Sequence, residues 1–137
     1  MIAKRSRTPR PLRDSPLGGR LPESELHRLD RVATIVTVRA SSQVIRQSQH
    51  GRQCLVVIDG LLQVERNGRH VADLGAGEIA GEISVLTGLP CTADVTATAG
   101  TTVYAMNPRE LTSLLDECPV LAREMLRTAI DRIPQPA

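Results

Sequence analysis

Short runs of β-branched and aliphatic residues, each closed by a turn signal, fill residues 33–107 and constrain the fold more than any other feature. The runs are "ATIVTVRA", "QVIRQ", "QCLVVIDG", "LLQVERNGRHVADLG", "CTADVTATAG" and "TTVYAMN". Gly, Asn or Ser residues separate them, as is typical of strands joined by tight turns. Within the fourth run Asn67-Gly68 divides two alternating segments, which predicts a type I′ hairpin. Many short strands with regular turns predict an antiparallel sandwich or barrel.

Helical patterns flank this strand-rich region. Residues 22–33 have an apolar face and acidic residues in the first turn, where the helix dipole favours them. Asn107 and Glu110 have the spacing of a capping box that starts a helix, and a last helix follows Pro119. The predicted apolar stripes are Leu26, Leu29 and Val32; Leu111, Leu114 and Leu115; and Leu121, Met125 and Ala129, with Ala122, Leu126 and Ile130 beside them.

Positive charge is concentrated at the N-terminus. Residues 1–20 carry six basic residues against one acidic residue, whereas the whole chain has a net charge of +2, so the remainder is mildly acidic. Prolines and the Gly18-Gly19 pair interrupt this segment, which predicts a disordered basic leader over residues 1–21 and one domain over residues 22–137. A basic leader can contact nucleic acid or an anionic surface, but a solvated segment without a binding role is the favoured interpretation.

The composition argues against several classes of function. Tyr104 is the only aromatic residue, so stacking on nucleic-acid bases is largely unavailable. Cys54, Cys91 and Cys118 have no metal-binding spacing and are odd in number, which predicts reduced thiols, two of them buried, and no metal site. The three histidines fall on separate predicted elements, so no catalytic residue is predicted. Without a signal peptide or an apolar run of about 18–20 residues, a cytoplasmic protein is expected.

The segment "GEIAGEISVLTGLPCTADV", residues 77–95, resembles the phosphate-binding cassette of the cyclic-nucleotide-binding domain family. In that cassette a Gly-Glu pair opens a short helix, and a Gly-x-Pro-Arg-(Ser/Thr/Ala)-Ala segment enters the next strand. The preceding "CLVVIDGLLQVERNGRHVADLGAGEIAGE" is similar to the family's strand, glycine, strand, hairpin and Gly-x-Gly-Glu run, so the resemblance covers residues 23–133. Family glycines are absent at "RASS" and "QSQ", which stand in turns.

The resemblance implies a mainly β fold. The expected architecture is an eight-stranded antiparallel jelly-roll barrel with a short N-terminal helix, a phosphate-binding-cassette helix and two C-terminal helices. The last helix, residues 119–133, would close over the base of a bound nucleotide. The implied ligand is cyclic AMP, with cyclic GMP as the alternative, and no cofactor is implied.

The resemblance also implies a set of ligand-binding residues. They are Gly81, Glu82, Ile83, Ser84, Cys91, Thr92 and Ala93. A helix start offers backbone N–H groups to a cyclic phosphate, and Gly81 would let the backbone approach it closely. Glu82 would accept a hydrogen bond from the ribose 2′-hydroxyl, and Thr92 would complete the phosphate cradle. Taken singly, Gly81 could be only a turn glycine, Glu82 only a first-turn helix acid and Thr92 only a strand residue. Their occurrence in this order favours a ligand-binding site.

Cys91 departs from the family pattern, because it stands where an arginine pairs with the phosphate. Charge-assisted hydrogen bonds contribute about 1.5–3 kcal/mol each. Losing two would weaken binding by about two to four orders of magnitude. Arg46, Arg52 and Arg127 are the candidate substitute cations. Two other roles for Cys91 stay open, a small residue that fills space and a redox-sensitive thiol.

Two hypotheses of different classes follow. The first is a stand-alone cyclic-nucleotide sensor or regulatory domain without an attached DNA-binding domain, which acts on an unknown protein effector. The second is a degenerate member that binds no nucleotide and serves as a protein-interaction module. Neither is an enzyme. In both, binding to specific nucleic acid or to membranes is not expected, and the protein is a monomer or a weak homodimer through its C-terminal helix.

Overall fold

The computed structural model of the chain describes residues 8–132. The helices are α1 (Arg10–Arg13), α2 (Pro16–Arg20), α3 (Glu23–Val32), α4 (Glu82–Thr87), α5 (Pro108–Glu117) and α6 (Pro119–Arg132). The strands are β1 (Thr34–Val38), β2 (Gln43–Ile45), β3 (Cys54–Asp59), β4 (Leu62–Arg66), β5 (Arg69–Leu74), β6 (Ile79–Ala80), β7 (Asp94–Ala97) and β8 (Thr101–Met106).

The strands form two four-stranded antiparallel sheets, ordered β1-β8-β3-β6 and β2-β7-β4-β5. This confirms the prediction of a mainly β fold of antiparallel sheets with helices. Within residues 8–132 no β ladder joins the two sheets, so a closed barrel is not observed and the jelly-roll closure stays a prediction. Strand β6 escaped the sequence analysis because two residues are too few to show a period of two.

Strand β3 separates two apolar cores. Its alternate residues point to opposite faces of the sheet, as strand geometry requires. Leu55 and Val57 join the inter-sheet core, which lies between the two sheets. Cys54, Val56 and Ile58 join the helix-side core, which the helices cover. Burial on both faces explains why β3 reads as a continuous apolar run rather than an alternating one.

The N-terminal segment corrects one prediction from the sequence. Residues 1–7 lie outside the described residues, but for residues 8–21 the expected disordered leader is wrong, because they form α1 and α2. Leu12, Leu17 and Leu21 are buried in the helix-side core. Pro11 and Pro16 occupy the first turns of these helices, where a missing N–H costs nothing. Composition therefore suggested disorder where three leucines supply enough buried apolar surface for order.

This segment contacts three other parts of the fold, two of them through ion pairs. Arg13 forms an ion pair with Glu23 of α3. Arg20 Nη1 lies 3.2 Å from Glu124 Oε2 on α6. A side chain at Gly77, in the turn between β5 and β6, would collide with Ser15. The segment therefore packs against α3, α6 and the turn between β5 and β6.

Helix α6 is anchored at its start by a carboxylate from α3. Glu25 is buried, and its two oxygens accept hydrogen bonds from the backbone N–H groups of Val120 (3.1 Å) and Leu121 (2.8 Å). These groups belong to the first turn of α6, which lacks intrahelical acceptors. A carboxylate at this end also interacts favourably with the helix dipole. These bonds fix the beginning of α6. The direction of the helix then determines which of its C-terminal side chains reach the site.

Two serines adopt the left-handed backbone where the sequence lacks the family's glycines. Ser41 has φ 70° and Ser48 has φ 73°. A side chain in this conformation costs about 1–2 kcal/mol, which exceeds the entropic cost of about 0.5–1 kcal/mol for glycine. We therefore expect Ser48→Gly to raise the free energy of unfolding in urea by about 0.5–1 kcal/mol.

Ser42 provides the matched control, because it also lies in a turn but does not have a positive φ. Ser42→Gly should lower the free energy of unfolding or leave it unchanged. Equal destabilisation by both substitutions would contradict the assignment of strain to Ser48.

Candidate functional site

The inter-sheet core opens at one end into a cavity of about 420 Å³. Strands β4, β5 and β7 form its apolar wall, to which Val64, Val71, Leu74 and Val95 contribute. Helix α4, the loop before β7 and the end of α6 form its polar side. Cavities of about 300–1,000 Å³ with apolar walls and a few polar groups are typical of small-ligand sites.

The predicted cassette residues all border this cavity. They are Gly81, Glu82, Ile83, Ser84, Cys91, Thr92 and Ala93. Sequence order alone brings them close, because α4 and the start of β7 are separated by one short loop. Their role in binding a ligand stays a prediction.

Gly81 makes the geometry of this loop possible. It has φ 82° and precedes α4 in a left-handed conformation. A Cβ at this position would lie 2.7 Å from the backbone oxygen of Gln53, the residue just before β3. Only glycine meets both conditions, so the chain turns sharply here and Glu82 begins α4 with its side chain directed inward.

Glu82 forms a buried ion pair with Arg132. Its side chain is 1% exposed, and Arg132 Nη1 lies 3.0 Å from Oε1 and 3.2 Å from Oε2. Burial raises the pKa of Glu82, and the charge of Arg132 opposes that rise. The carboxylate that the resemblance assigns to a ribose hydroxyl therefore already has a cationic partner from α6.

The hydroxyl of Ser84 forms hydrogen bonds to the backbone of two segments outside α4. Its Oγ accepts a hydrogen bond from the backbone N–H of Gly51 at 2.9 Å and donates one to the carbonyl of Leu89 at 2.5 Å. The side chain thereby ties α4 to the segment after β2 and to the turn that follows α4. The hydroxyl proton is therefore already engaged and is not available to a phosphate oxygen.

Cys91 lies between the cavity and a second, open cleft. Its backbone N–H donates to Gln49 and its carbonyl accepts from Ser48, both at 2.8 Å. A side chain at Gly51 would come within 3.2 Å of the Cys91 sulfur. The thiol is thus buried, as are Cys54 and Cys118, whereas the sequence predicted only two buried cysteines. The closely packed surroundings leave Cys91 little contact with solvent.

The structure does not bring the three candidate substitute cations to the cavity. Arg46 and Arg52 border the open cleft on the other side of Cys91. Arg127 is exposed on α6 and precedes Arg132 by five positions, which rotates it by about 140° around the helix. None of the three lines the cavity, and their role as substitute cations stays a prediction.

Two arginines that the sequence analysis missed do border the cavity, Arg66 at the end of β4 and Arg132 at the end of α6. A helical pattern could have found Arg132, because it lies seven positions after the buried Met125 and so shares its face. Nothing local to Arg66 identifies it, since its place depends on the pairing of β4 with β7.

Within residues 8–132 no cluster of three or more His, Cys, Asp or Glu side chains is arranged to hold a metal ion. The helices described for this chain include none with the length and apolar character needed to cross a membrane.

Comparison with known proteins gives a consistent result. Residues 35–118 match the family model described as the cyclic nucleotide-binding domain. The chain is 28% identical over 111 residues to a Pycsar effector protein of Pseudomonas aeruginosa, a match that spans 79% of this chain and 35% of the relative. It is 26% identical over 117 residues to a cyclic nucleotide-gated potassium channel of Rhizobium etli, spanning 85% of this chain and 33% of the channel.

A solved structure has the same fold. The catabolite activator protein of Thermus thermophilus superposes with a TM-score of 0.76 and 24% identity, covering 86% of this chain and 58% of that protein. The chain spans about a third of the length of the two curated relatives. At this level of identity the structural match establishes the fold alone.

Proposed function

The chain belongs to the cyclic nucleotide-binding domain family, and we propose that it is a regulatory sensor domain whose cavity binds a cyclic nucleotide. Cyclic AMP is the expected ligand, with cyclic GMP as the alternative. The observation that carries this proposal is the cavity of about 420 Å³ with Gly81 and the buried Glu82 at its edge. Its size falls within the range of about 300–1,000 Å³ that is usual for small-ligand sites.

The two sides of the cavity suit the two parts of a nucleotide. The apolar wall of Val64, Val71 and Val95 can bury the faces of a purine base. On the polar side, Glu82 can accept hydrogen bonds from a ribose hydroxyl, and the backbone around Ile83 can approach the cyclic phosphate. The apolar area supports affinity, and the few polar groups support orientation and specificity.

Signal output would pass through α6. This helix carries Arg132 into the site and is held at its start by Glu25, so a ligand that contacts Glu82 also acts on α6. The domain would regulate a protein effector or a further domain without catalysing a reaction itself. The named relatives include a channel gated by cyclic nucleotides, which is consistent with such a role. A cytoplasmic location, a jelly-roll closure and a monomer or weak homodimer through α6 belong to the same proposal.

One observation favours a second candidate function, a protein-interaction module that binds no nucleotide. Arg132 already neutralises Glu82, and Cys91 provides no charge for a phosphate. In this case the pair of Arg132 and Glu82 would occupy the polar side of the cavity in place of a ligand, and the domain would bind a partner protein through its outer surface.

Calorimetric titration with each nucleotide distinguishes the two functions. We expect cyclic AMP or cyclic GMP to bind with a dissociation constant below about 100 μM, because about −5.5 kcal/mol requires a site shaped for a polar ligand. Glu82→Gln should weaken binding by about tenfold or more, since the ligand loses a charged acceptor.

Glu78 is the matched control, because it belongs to the other Gly-Glu pair, on the far side of β6, and does not line the cavity. Glu78→Gln should leave the affinity unchanged. Absence of heat with millimolar concentrations of both nucleotides would overturn the sensor and support the interaction module.

A further inference from the structure

A cyclic phosphate in this cavity needs a positive charge that Cys91 does not supply. Among residues 8–132, two cationic side chains line the cavity, Arg66 and Arg132. Arg132 donates to both oxygens of Glu82 in a pair whose carboxylate is buried. Withdrawing it to meet a phosphate would leave a buried carboxylate without a partner, which is strongly unfavourable. Arg66 is therefore the cation that remains for a ligand.

The guanidinium of Arg66 is held beside the cassette. Strand β4 pairs with β7, with Glu65 opposite Asp94, so Arg66 lies next to the residues that lead into β7. Its Nε donates a hydrogen bond to the carbonyl of Thr92 at 3.1 Å. Thr92 directly follows Cys91, where the family pattern has its arginine.

Only one edge of this guanidinium is occupied. Apart from the bond to Thr92, the side chain of Arg66 forms no hydrogen bond or ion pair within the described part of the chain. Its two terminal NH₂ groups therefore retain their donors for a ligand. A planar guanidinium presents donors in a fixed fork that matches phosphate oxygens, which a lysine or a thiol cannot do.

The turn that follows Arg66 is also fixed in place. Gln47 Nε2 donates to Asn67 Oδ1 at 2.8 Å, and the backbone N–H of Asn67 donates to Gln47 Oε1 at 2.9 Å. The backbone N–H of Gln47 in turn donates to Asp94 Oδ1 at 2.7 Å. This paired contact joins the hairpin to the segment after β2 and to β7. It limits the positions open to Arg66 and reduces the entropy that a ligand contact would cost.

We propose that Arg66 binds the cyclic phosphate. It would supply, from the neighbouring strand, the charge that the cassette arginine supplies in the family pattern. The charge comes from β4 instead of from the loop that precedes β7, so the cassette and the cation lie on neighbouring strands. This inference rests on the proposed function of the cavity and assigns its anion-binding residue.

Arg66→Gln tests the assignment in the full chain. The probes are whichever cyclic nucleotide the wild type binds, and the corresponding nucleoside, which lacks the phosphate. We expect the variant to lose about 10- to 100-fold in affinity for the nucleotide, the value of one or two charge-assisted hydrogen bonds, and to keep its affinity for the nucleoside. A variant that failed to fold would lose both ligands, so the nucleoside separates misfolding from loss of the phosphate contact.

Arg69 offers a control of equal charge. It is exposed, lies opposite Arg66 in the ladder between β4 and β5, and does not line the cavity. Arg69→Gln should leave both affinities unchanged. Cys91→Arg introduced into the Arg66→Gln variant should restore nucleotide affinity, because the cation then returns at the position that the family pattern gives it.

The outcomes separate this inference from the proposed function. Nucleotide binding by Arg66→Gln that equals that of the wild type would overturn the role of Arg66 and leave the sensor function intact. Equal losses in Arg66→Gln and Arg69→Gln would also overturn it, since only the general charge of the hairpin would then matter. Failure of the wild type to bind either nucleotide at millimolar concentration would overturn the sensor function, and this inference with it.

Discussion

Leu12→Ala is expected to lower the free energy of unfolding by about 2–5 kcal/mol, although Leu12 belongs to a segment whose composition suggests disorder. The side chain has no exposed surface and packs in the helix-side core. Truncation removes buried apolar area and leaves a cavity that the surrounding strands and helices cannot fill completely. Urea denaturation followed by circular dichroism measures the effect, provided that the slope with denaturant stays constant.

Leu126 is the appropriate control, because it is a leucine in a helix with 61% of its surface exposed. Leu126→Ala should change stability by no more than about 0.5 kcal/mol. A similarly small effect for Leu12→Ala would show that residues 8–21 do not pack on the domain in solution.

Much of the fold was predictable because its signals are local. The Asn67-Gly68 turn has φ 53° and 77°, as the type I′ prediction requires. The capping box at the start of α5 is present in both directions, between Asn107 and Glu110. Each of these features depends on residues within a few positions of one another. Local backbone and side-chain chemistry is sufficient to specify them.

The N-terminal segment shows where such reasoning fails. Its charge and its prolines are visible in the sequence, but the burial of Leu12 and Leu17 depends on helices that come later in the chain. Helix α1 has four residues and α2 has five, too few for an apolar period to be recognised. Tertiary contacts therefore decide the order of this segment.

The residues of the candidate site also fall into a group that the sequence predicts and a group that depends on tertiary contacts. Residues from Gly81 to Ala93 were predicted together because a single loop contains them. Arg132 is 50 residues from Glu82 in sequence, and Arg66 is 26 residues from Thr92. Their places follow from the direction of α6 and the register of β4 with β7. Neither can be deduced from spacing in the sequence, where Arg46, Arg52 and Arg127 are equally plausible substitute cations.

Arg132→Met is expected to destabilise the protein by about 3 kcal/mol at neutral pH, because it leaves the buried carboxylate of Glu82 without its cation. The effect should lie near the lower end of the range for broken buried pairs, since Arg132 itself is 31% exposed. Arg127→Met is the matched control, because Arg127 is an exposed arginine of the same helix that does not border the cavity. It should have little effect.

The dependence on pH identifies the cause of this destabilisation. Burial already raises the pKa of Glu82 above its ordinary value of 4.5, and removing the charge of Arg132 should raise that pKa further. The folded state then binds more protons than the unfolded state above pH 4.5, so stability falls as the pH rises through the elevated pKa. The deficit of Arg132→Met should therefore be largest at neutral pH, shrink towards acid pH and disappear in the Arg132→Met/Glu82→Gln double variant. A deficit that does not vary with pH would mean that Arg132 contributes packing rather than charge. A deficit that varies as expected would mean that the charge of Arg132 compensates the buried carboxylate of Glu82, so that α6 contributes to the site by its charge.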